Sequence, residues 1–518
     1  MEEFVSLGKW WLPNSPEVVV AGKLRFSPSS GAKLELIGSF YDSAFQEVGK
    51  AKDLLPAGES LLSENLQITE ENTILNLIEP EETIILGLLE NNEEVTLYKC
   101  YGSIVNFKLI ERHNLLFHAN YLFRQIHFEK EEEIKFNSIS VRYFHLEEWI
   151  EKSGIQVMWS SEENKIWLSY QPPISIPLGE FKGLDLSITF SQVYINPLDI
   201  YFGATYYKGN VEQKTFLTLH NPKNESIEKF VEIIFHFRDF LTFAMSKPSS
   251  ISAMTGNVNV SYEKRIFKDD GSSSIEEEIK EKQVNILFPL WNSEKSSEIT
   301  RFPYEMLFLY SDIEGELGEI FKQWLHKKEL YESVFDLFMI TMYTPNLYLH
   351  YRFLNMIQAL EVYHGNKYKK SKYQETKIYQ EGISKNLLEV IDKFPPKNRE
   401  NPHGISDDFR DALKGQVNSN LNRFTLHTKL AEILENITPL LPDDLVGGTE
   451  DRKSFITKAI TTRNTLTHHS KKEKKKAAKP EELINLFYTL KVILQCCLLR
   501  ELGLTDESIK KLIKRNKN

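Results

Sequence analysis

The amino-acid sequence predicts an α+β protein of more than one domain, in which a β-rich, sandwich- or barrel-like N-terminal half precedes an all-α helical bundle. The chain has 518 residues, which is too many for one ordinary hydrophobic core. Short runs in which apolar and polar residues alternate fill the first half, and this pattern predicts strands. After about residue 300 the apolar residues recur at helical spacing instead.

Two hairpins open the β-rich half. The first pairs residues 24–26 with 34–36 across a serine-rich turn at 27–31, because apolar and polar residues alternate on both sides of that turn. The second pairs residues 84–89 with 95–98 across an Asn-Asn turn. Further strands are predicted at residues 103–109, 138–144, 165–170, 184–190 and 215–219. Many short strands at such spacing indicate a sandwich or a barrel.

Two helices interrupt the predicted strands. One is short, at about residues 146–150, and the other spans about residues 226–241, where apolar residues recur at helical spacing behind a serine that can cap the first turn. A polar, serine-rich segment at 292–298 is the predicted domain boundary. The chain is therefore predicted to divide into a β-rich region, residues 1–292, and a helical domain, residues 300–518.

The second half is predicted to be a helix bundle, because helical periodicity recurs there without strand patterns. The helices are predicted at residues 312–328, 330–343, 346–364, 406–437, 451–470 and 480–502. The last of them has the clearest ends, with Pro480 in its first turn and Gly503 just past its final turn.

Charge and cysteine content limit the classes of function. Residues 1–300 carry 28 basic and 44 acidic side chains, whereas residues 301–518 carry 35 and 29. Any contact with a polyanion is therefore expected in the second half. Three cysteines cannot form a disulfide framework, and the sequence shows neither a basic signal peptide nor a long uninterrupted apolar run. We expect a cytoplasmic protein with no membrane contact.

Common cofactor and metal motifs are missing from the sequence. It contains no GxxxxGK[S/T] phosphate loop, no GxSxG turn, no HExxH pair and no CxxC pair. We therefore expect no cofactor and no metal site, so that any chemistry would depend on side chains alone.

The predicted helix at 451–470 carries a polar face near its end. On an ideal helix, Arg463 and His468 lie about 140° apart, with Asn464 between them. Asn464 precedes His468 by four residues and is therefore its neighbour on the helix surface, where an amide can orient the imidazole ring. His469 points away from this face, so helical geometry favours His468 over His469 as the functional histidine.

The same helix has two faces to cover. The predicted core face is a stripe of side chains spaced four, three and four residues apart: Phe455, Ala459, Thr462 and Leu466. Ile456 and Ile460 lie on the face that continues into Arg463 and Asn464. That second face is predicted to pack against a second copy of the chain.

An arginine and a histidine are enough to cleave RNA without a metal ion. A neutral imidazole accepts the proton of the ribose 2′-hydroxyl, which then attacks the adjacent phosphorus. A guanidinium holds two phosphate oxygens and stabilises the charge that grows on them. DNA lacks the 2′-hydroxyl, so this chemistry selects RNA. The alternative interpretation is an ordinary helix end followed by a solvated basic loop.

Two further segments resemble a known family. The stretch 347–364, LYLHYRFLNMIQALEVYH, resembles the second helix of the ApeA-like HEPN family, and residues 309–325 resemble its first helix. Arg463-Asn464-x-x-x-His468 then falls where HEPN ribonucleases carry an Arg-x(4–6)-His motif. The resemblance covers about residues 300–503. Residues 141–149 and 226–241 look like the N-terminal domain of ApeA-type anti-phage proteins.

This resemblance implies a HEPN bundle that forms a homodimer or a higher oligomer through its motif helices. It also implies a metal-independent endoribonuclease that acts in abortive anti-phage defence, with Arg463 and His468 as catalytic residues and Asn464 in support. Glu361 and His469 are candidate supporting residues; Glu361 either pairs with Arg463 or occupies an ordinary surface position.

The expected partners follow from the same resemblance and from the charge distribution. The substrate is expected to be RNA, with tRNA as one candidate. The lysines after the motif are predicted to bind its backbone: Lys471, Lys472, Lys474, Lys475 and Lys476. The β-rich region is expected to restrain or trigger the nuclease, with a phage-encoded protein as candidate trigger. The alternative function is a non-catalytic HEPN scaffold that only dimerises or binds nucleic acid.

Overall fold

A computed structural model describes residues 1–38, 40, 83–105, 114–160, 162, 165–191, 201–202, 207–208, 212–267, 273–290, 302–368, 376–399, 401–446, 448–468 and 475–515. The chain divides by its contacts into two compact units, Met1–Glu319 and Ile320–Asn518. The first is rich in strands and the second is helical, so the predicted fold class is confirmed. The predicted boundary at 292–298 lies outside the described residues, and the division into residues 1–292 and 300–518 stays a prediction.

The first unit consists mainly of antiparallel strands. Its described strands are β1 (Phe4–Leu12), β2 (Ser15–Ser27), β3 (Gly31–Leu36), β4 (Thr83–Leu89), β5 (Glu94–Val105), β6 (Asn114–Arg124), β7 (Lys135–Tyr143), β8 (Ile155–Ser160), β9 (Lys165–Tyr170), β10 (Ile176–Phe181), β11 (Leu184–Phe190), β12 (Tyr201–Phe202), β13 (Tyr207–Lys208), β14 (Thr215–Ser226), β15 (Ile251–Phe267) and β16 (Ser273–Leu287). Two α-helices accompany them in the described part of this unit, α1 (Leu146–Ile150) and α2 (Ile227–Met245). Both predicted hairpins are present, as β2–β3 and β4–β5.

Six of these strands close into a barrel. Their order is β6-β3-β2-β1-β4-β5, and β5 pairs back onto β6. Inside the barrel the indole of Trp10 is fully buried. A Cβ atom on Gly87, which faces Trp10 across β1 and β4, would lie 2.3 Å from Trp10 Cζ3. A glycine is therefore needed there, because any larger residue would overlap the ring that fills the barrel.

The sheet continues beyond the barrel. From β6 it extends through β16, β15, β7, β14, β11 and β10, and α2 packs against β7 and β14. Tyr143 Oη on β7 donates a hydrogen bond to the Ile234 carbonyl oxygen of α2 at 2.8 Å. Helix α2 begins after Ser226, as predicted, although the Ser226 side chain accepts no capping hydrogen bond. Burial of its apolar stripe against the sheet thus stabilises α2.

The second unit consists of helices. They are α3 (Leu317–Leu330, which begins just before the unit boundary), α4 (Glu332–Tyr343), α5 (Leu349–Lys367), α6 (Lys385–Asp392), α7 (Asp407–Ser419), α8 (Leu426–Ile437), α9 (Asp443–Val446), α10 (Thr449–His468), α11 (Pro480–Glu501) and α12 (Asp506–Arg515). A short turn, Thr376–Ile378, and a π-helical segment, Tyr379–Ser384, lead into α6.

Helix α5 lies at the centre of this unit, where α4, α8, α10 and α11 all contact it. The prediction of one helix over 406–437 was wrong, because the chain leaves helical geometry between α7 and α8. Thr425 begins the second helix, and its Oγ1 accepts a hydrogen bond from the Thr428 backbone N–H at 3.2 Å. A threonine in this position stabilises a new helix start better than it stabilises a helix interior.

Helix α11 is long and apolar enough to cross a bilayer by length and composition. No such segment was expected from the sequence. Within the described part of the unit, 61% of its most apolar window is buried. Its end is marked by Gly503 at a φ of 91°, as predicted.

Candidate active site

An open cleft lies between α5, α8 and α10 of the helical unit. Its volume is about 640 Å³. Apolar side chains and polar groups share its lining: Leu354, Ile357, Gln358, Glu361, Val362, Gly365, Asn366, Lys429, Arg463 and Thr467. The cleft therefore combines two cations, one carboxylate and two amides with an apolar wall, which is a suitable lining for a ligand that carries both charge and a flat ring.

Arg463 is the residue of the predicted motif that lines this cleft. Its Nη1 donates a hydrogen bond to Oδ1 of Asn464 at 3.2 Å. Thr467 follows one turn later and donates to the Arg463 carbonyl oxygen at 2.9 Å. The side chain of Asn464 therefore contacts the guanidinium, whereas the sequence predicted that it would orient His468.

Glu361 also lines the cleft, and among the described residues it pairs with Lys429, whereas a pair with Arg463 was one of the two interpretations left open by the sequence. Its Oε1 lies 3.0 Å from Nζ of Lys429, which α8 contributes. Both side chains are partly exposed, with exposed fractions of 34% for Glu361 and 19% for Lys429. The ion pair holds an ammonium group in the same cleft as the Arg463 guanidinium.

Lys429 was not among the residues that the sequence pattern predicted for the site. It lies in a helix with an ordinary amphipathic pattern, where an isolated lysine predicts only a solvated face. Only the packing of α8 against α5 and α10 brings it to the cleft.

His468 is the last residue of α10 and is exposed. It does not line the cleft, because it lies about 140° around the helix from Arg463. His469, Lys471, Lys472 and Lys474 lie outside the described residues. Lys475 and Lys476 are described, and both are exposed in the turn before α11. The structure thus brings Arg463, Asn464 and Glu361 together and leaves His468 at the surface.

The predicted division of α10 into two faces was partly wrong. Ile456 is 3% exposed and belongs to the core of its own unit. Ala459 and Thr462 are buried as predicted, whereas Phe455 and Leu466 are only half-buried. The reason is that α10 contacts both α8 and α5, so the buried stripe is centred closer to Arg463 than the sequence pattern indicated. Ile460 is half-buried and remains at the edge of the core.

Another histidine of this unit, His364, is buried between two helices. His364, near the end of α5, is 1% exposed, and its Nε2 lies 2.6 Å from Oε2 of Glu432. Its ring stacks on Tyr368 with centroids 4.8 Å apart. The buried ring therefore links α5 to α8 and is not one of the cleft residues. Within the described ranges no group of three or more His, Cys, Asp or Glu side chains is arranged to hold a metal ion.

Family models match both parts of the chain. A model of ApeA N-terminal domain 1 matches residues 6–324, and a model of the Apea-like HEPN domain matches residues 354–508. Comparisons with curated proteins and with solved structures find no match. The segment 309–325, which resembled a first HEPN helix, falls almost wholly within the N-terminal match, whereas Glu361, Arg463 and the rest of the cleft lie in the HEPN match. HEPN domains are generally nucleases. The match to the ApeA N-terminal domain alone covers more than half of the chain. The chain belongs to the ApeA-like HEPN family of anti-phage proteins.

Proposed function

We propose that the helical unit is a metal-independent endoribonuclease that binds a substrate phosphate beside Arg463. The observation that carries this proposal is the lining of the cleft, in which the Arg463 guanidinium and the Lys429 ammonium face one volume of about 640 Å³. A guanidinium forms paired hydrogen bonds to phosphate oxygens, and a nearby ammonium adds a point charge for the next phosphate of the strand. The apolar residues of the cleft supply a surface for a nucleobase.

The chemistry requires a proton acceptor next to the phosphate, and His468 is the proposed one. Its neutral imidazole accepts the proton of the ribose 2′-hydroxyl while the 2′-oxygen forms a bond to phosphorus. The bond between phosphorus and the 5′-oxygen then breaks, and that oxygen takes a proton from an imidazolium group. Arg463 stabilises the negative charge on the non-bridging oxygens in the transition state. The products are a 2′,3′-cyclic phosphate and a 5′-hydroxyl.

One protomer supplies too little for this reaction. Arg463 faces the cleft of its own unit, whereas His468 is exposed on another side of α10. A two-fold dimer through the ends of two α10 helices would place His468 of one copy near Arg463 of the other. It would also provide two histidines, one as the base and one as the acid. We therefore propose that the active form is a homodimer or a higher oligomer.

The decisive experiment is cleavage of RNA by the purified full chain in the presence of EDTA, followed by analysis of the new ends. Cyclic phosphate and 5′-hydroxyl ends are expected, because the nucleophile is the ribose itself. Products with 5′-phosphate ends, or strict dependence on magnesium, would contradict the mechanism. Binding of RNA without cleavage under any condition would support the alternative scaffold function.

In the cell, the proposed nuclease restricts phage by cutting RNA in the cytoplasm, with tRNA as one candidate substrate. The β-rich region would hold the nuclease inactive until a phage-encoded protein binds. Cells that express the wild-type chain should reduce phage plaque numbers, and cells that express Arg463→Ala should not. Protection that survives Arg463→Ala would separate the defence role from RNA cleavage.

A further inference from the structure

Side chains on the outside of the barrel line up across neighbouring strands. The register places Arg25 of β2 opposite Lys33 of β3, Lys33 opposite His118 of β6, and His118 opposite Tyr101 of β5. These four residues are named the barrel row. The strands β2, β3, β6 and β5 are consecutive in the closed six-stranded barrel, so the row curves around the barrel surface from Arg25 to Tyr101.

The row begins with two cations. Arg25 is exposed and Lys33 is half-buried, and neither forms an ion pair with a carboxylate in the described part of the chain. The nearest acidic residue in the register is Glu35, which lies opposite Lys23 in the next row. Two like charges directly opposite each other on adjacent strands are unfavourable. A bound anion would remove that repulsion.

The row ends with two stacked rings. The rings of Tyr101 and His118 have centroids 5.3 Å apart and planes 9° apart. Tyr101 is 57% exposed, so much of its ring surface is open to solvent. Burial, and then the charge of Lys33, lower the pKa of His118, so the imidazole is neutral at neutral pH. A flat, uncharged ring pair at the surface is a platform on which a nucleobase can stack.

A groove of about 710 Å³ runs beside the cationic end of the row. Lys23, Arg25 and Lys33 line it together with Ser27 and Ser30, whose hydroxyl oxygens lie 2.6 Å apart. Two carboxylates, Glu3 and Glu35, are also part of the lining and limit how much negative charge the groove can accept. The groove therefore suits one or two phosphates better than a long stretch of duplex.

We infer that the barrel row binds a short segment of single-stranded nucleic acid, with phosphates on Arg25 and Lys33 and a base stacked on Tyr101. The site goes beyond the proposed ribonuclease and lies in the other unit. A polyanion site in the first unit was not expected, because residues 1–300 are acidic overall. Net charge is a sum over the whole surface, however, and the barrel row occupies only part of that surface.

The test is binding of a fluorescently labelled oligo-dT of twelve nucleotides to the full chain, measured by anisotropy in about 0.15 M salt. DNA lacks the 2′-hydroxyl and cannot be cut by the proposed mechanism, but it can still bind the cleft of the helical unit. All measurements therefore use the full chain with Arg463→Ala and Lys429→Ala, so that the result does not depend on the ribonuclease proposal. The variants are the double charge reversal Arg25→Glu with Lys33→Glu, and Tyr101→Ala. Lys9→Glu is the matched control, because Lys9 is an exposed strand lysine of the same barrel outside the row.

The double reversal should weaken binding at least tenfold, and Tyr101→Ala should weaken it between about 5- and 100-fold. Lys9→Glu should change it less than about twofold, and circular dichroism should show that all variants fold. Competition experiments show whether the row binds a nucleic-acid strand or a single nucleotide. Displacement of the labelled oligonucleotide by unlabelled oligo-dT, but not by dTMP, supports binding of a strand. Displacement by dTMP at equal concentration, or variants that bind like the wild type, would overturn the inference.

Discussion

Arg463 and Asn464 are joined by a hydrogen bond between adjacent side chains, in which Nη1 donates to Oδ1 at 3.2 Å. Neighbouring residues on a helix do not normally face each other, so this contact requires both side chains to bend toward one side of α10. The bond keeps the guanidinium beside the cleft, and among the described residues no other acceptor contacts it, so its remaining N–H groups can bind phosphate. We therefore expect Asn464 to act as a positioning residue for Arg463.

Removal of the motif side chains should abolish cleavage without unfolding the chain. Arg463→Ala should lower kcat at least 100-fold, because it removes a charged donor to the transition state, and His468→Ala should do the same by removing a proton acceptor. Asn464→Ala should cause a smaller loss, about tenfold, because the arginine remains. RNA cleavage with a labelled substrate measures all three.

Two histidine variants serve as controls for this prediction. His427→Ala alters an exposed histidine of α8 and should leave the rate unchanged. His469→Ala should also retain most activity. An inactive His469→Ala together with an active His468→Ala would show that the helical register was assigned to the wrong histidine.

Lys429 should contribute to substrate binding through the cleft. Lys429→Ala removes one of two cations there and should raise KM about tenfold with a smaller effect on kcat. Glu361→Gln should lower KM, because it removes a carboxylate that pairs with Lys429 at 3.0 Å and repels phosphate. Lys458→Ala is the matched control, since Lys458 also pairs with a glutamate, Glu482, at 3.1 Å but outside the cleft. Equal effects of Lys429→Ala and Lys458→Ala would exclude a specific role for Lys429.

Local signals explain which parts of the fold the sequence predicted. The β2–β3 hairpin was predicted because its turn is encoded by a few neighbouring residues. Helix α11 was predicted because a local signal marks each of its ends, Pro480 at the start and Gly503 after the last turn. The long strands β15 and β16 were missed, because charged residues such as those at 276–282 have low strand propensity. Their pairing with β7 and β6 overrides that propensity, and a single segment does not reveal its partners.

The candidate site shows the same limit. Helical spacing placed Arg463 and His468 about 140° apart, but it could not show which angle faces the chain's own core. The burial of Ile456 and the position of Lys429 both depend on how α8 and α5 pack against α10. Such contacts join residues that are distant in sequence, so periodicity carries no information about them.

Glu501 should stabilise the helical unit as a buried carboxylate shared by several donors. Its side chain is 3% exposed and lies 2.8 Å from Lys327 Nζ and 2.7 Å from Lys367 Nζ. Tyr363 Oη also donates to it, at 3.0 Å. Glu501→Gln should lower the free energy of unfolding by about 2 kcal/mol, because the lysines lose their anion but Lys367 can still reach water. Urea unfolding followed by helical circular dichroism measures this.

The pH dependence of that stabilisation has a definite sign. Burial would raise the pKa of Glu501, but hydrogen bonds from Lys327 and Lys367 outweigh it, so the pKa is lowered. The stabilisation is therefore fully present above the ordinary glutamate pKa of about 4.3 and is lost as the pH falls through the lower folded value. The difference between wild type and Glu501→Gln should be constant from pH 7 to 5 and shrink below about pH 4. Asp506→Asn, at an exposed pair with Arg500, should cost less than about 1 kcal/mol.

The proposed dimer can be tested on α10 because two isoleucines of one helix differ in burial. Ile456 is 3% exposed within its own unit, so Ile456→Asp should destabilise the bundle itself by about 3–5 kcal/mol. Ile460 is only half-buried and lies close to Arg463, so Ile460→Asp should leave the unit folded but place a charge at the contact between two copies. We expect Ile460→Asp to be a folded, inactive monomer, and Ser454→Asp, at an exposed position of α10, to remain an active oligomer.

Three measurements test this prediction: light scattering gives the mass, circular dichroism reports the fold, and RNA cleavage gives the activity. Full activity in a monomeric Ile460→Asp would show that one protomer holds the complete site, and the exposed His468 would then have to reach Arg463 within its own chain.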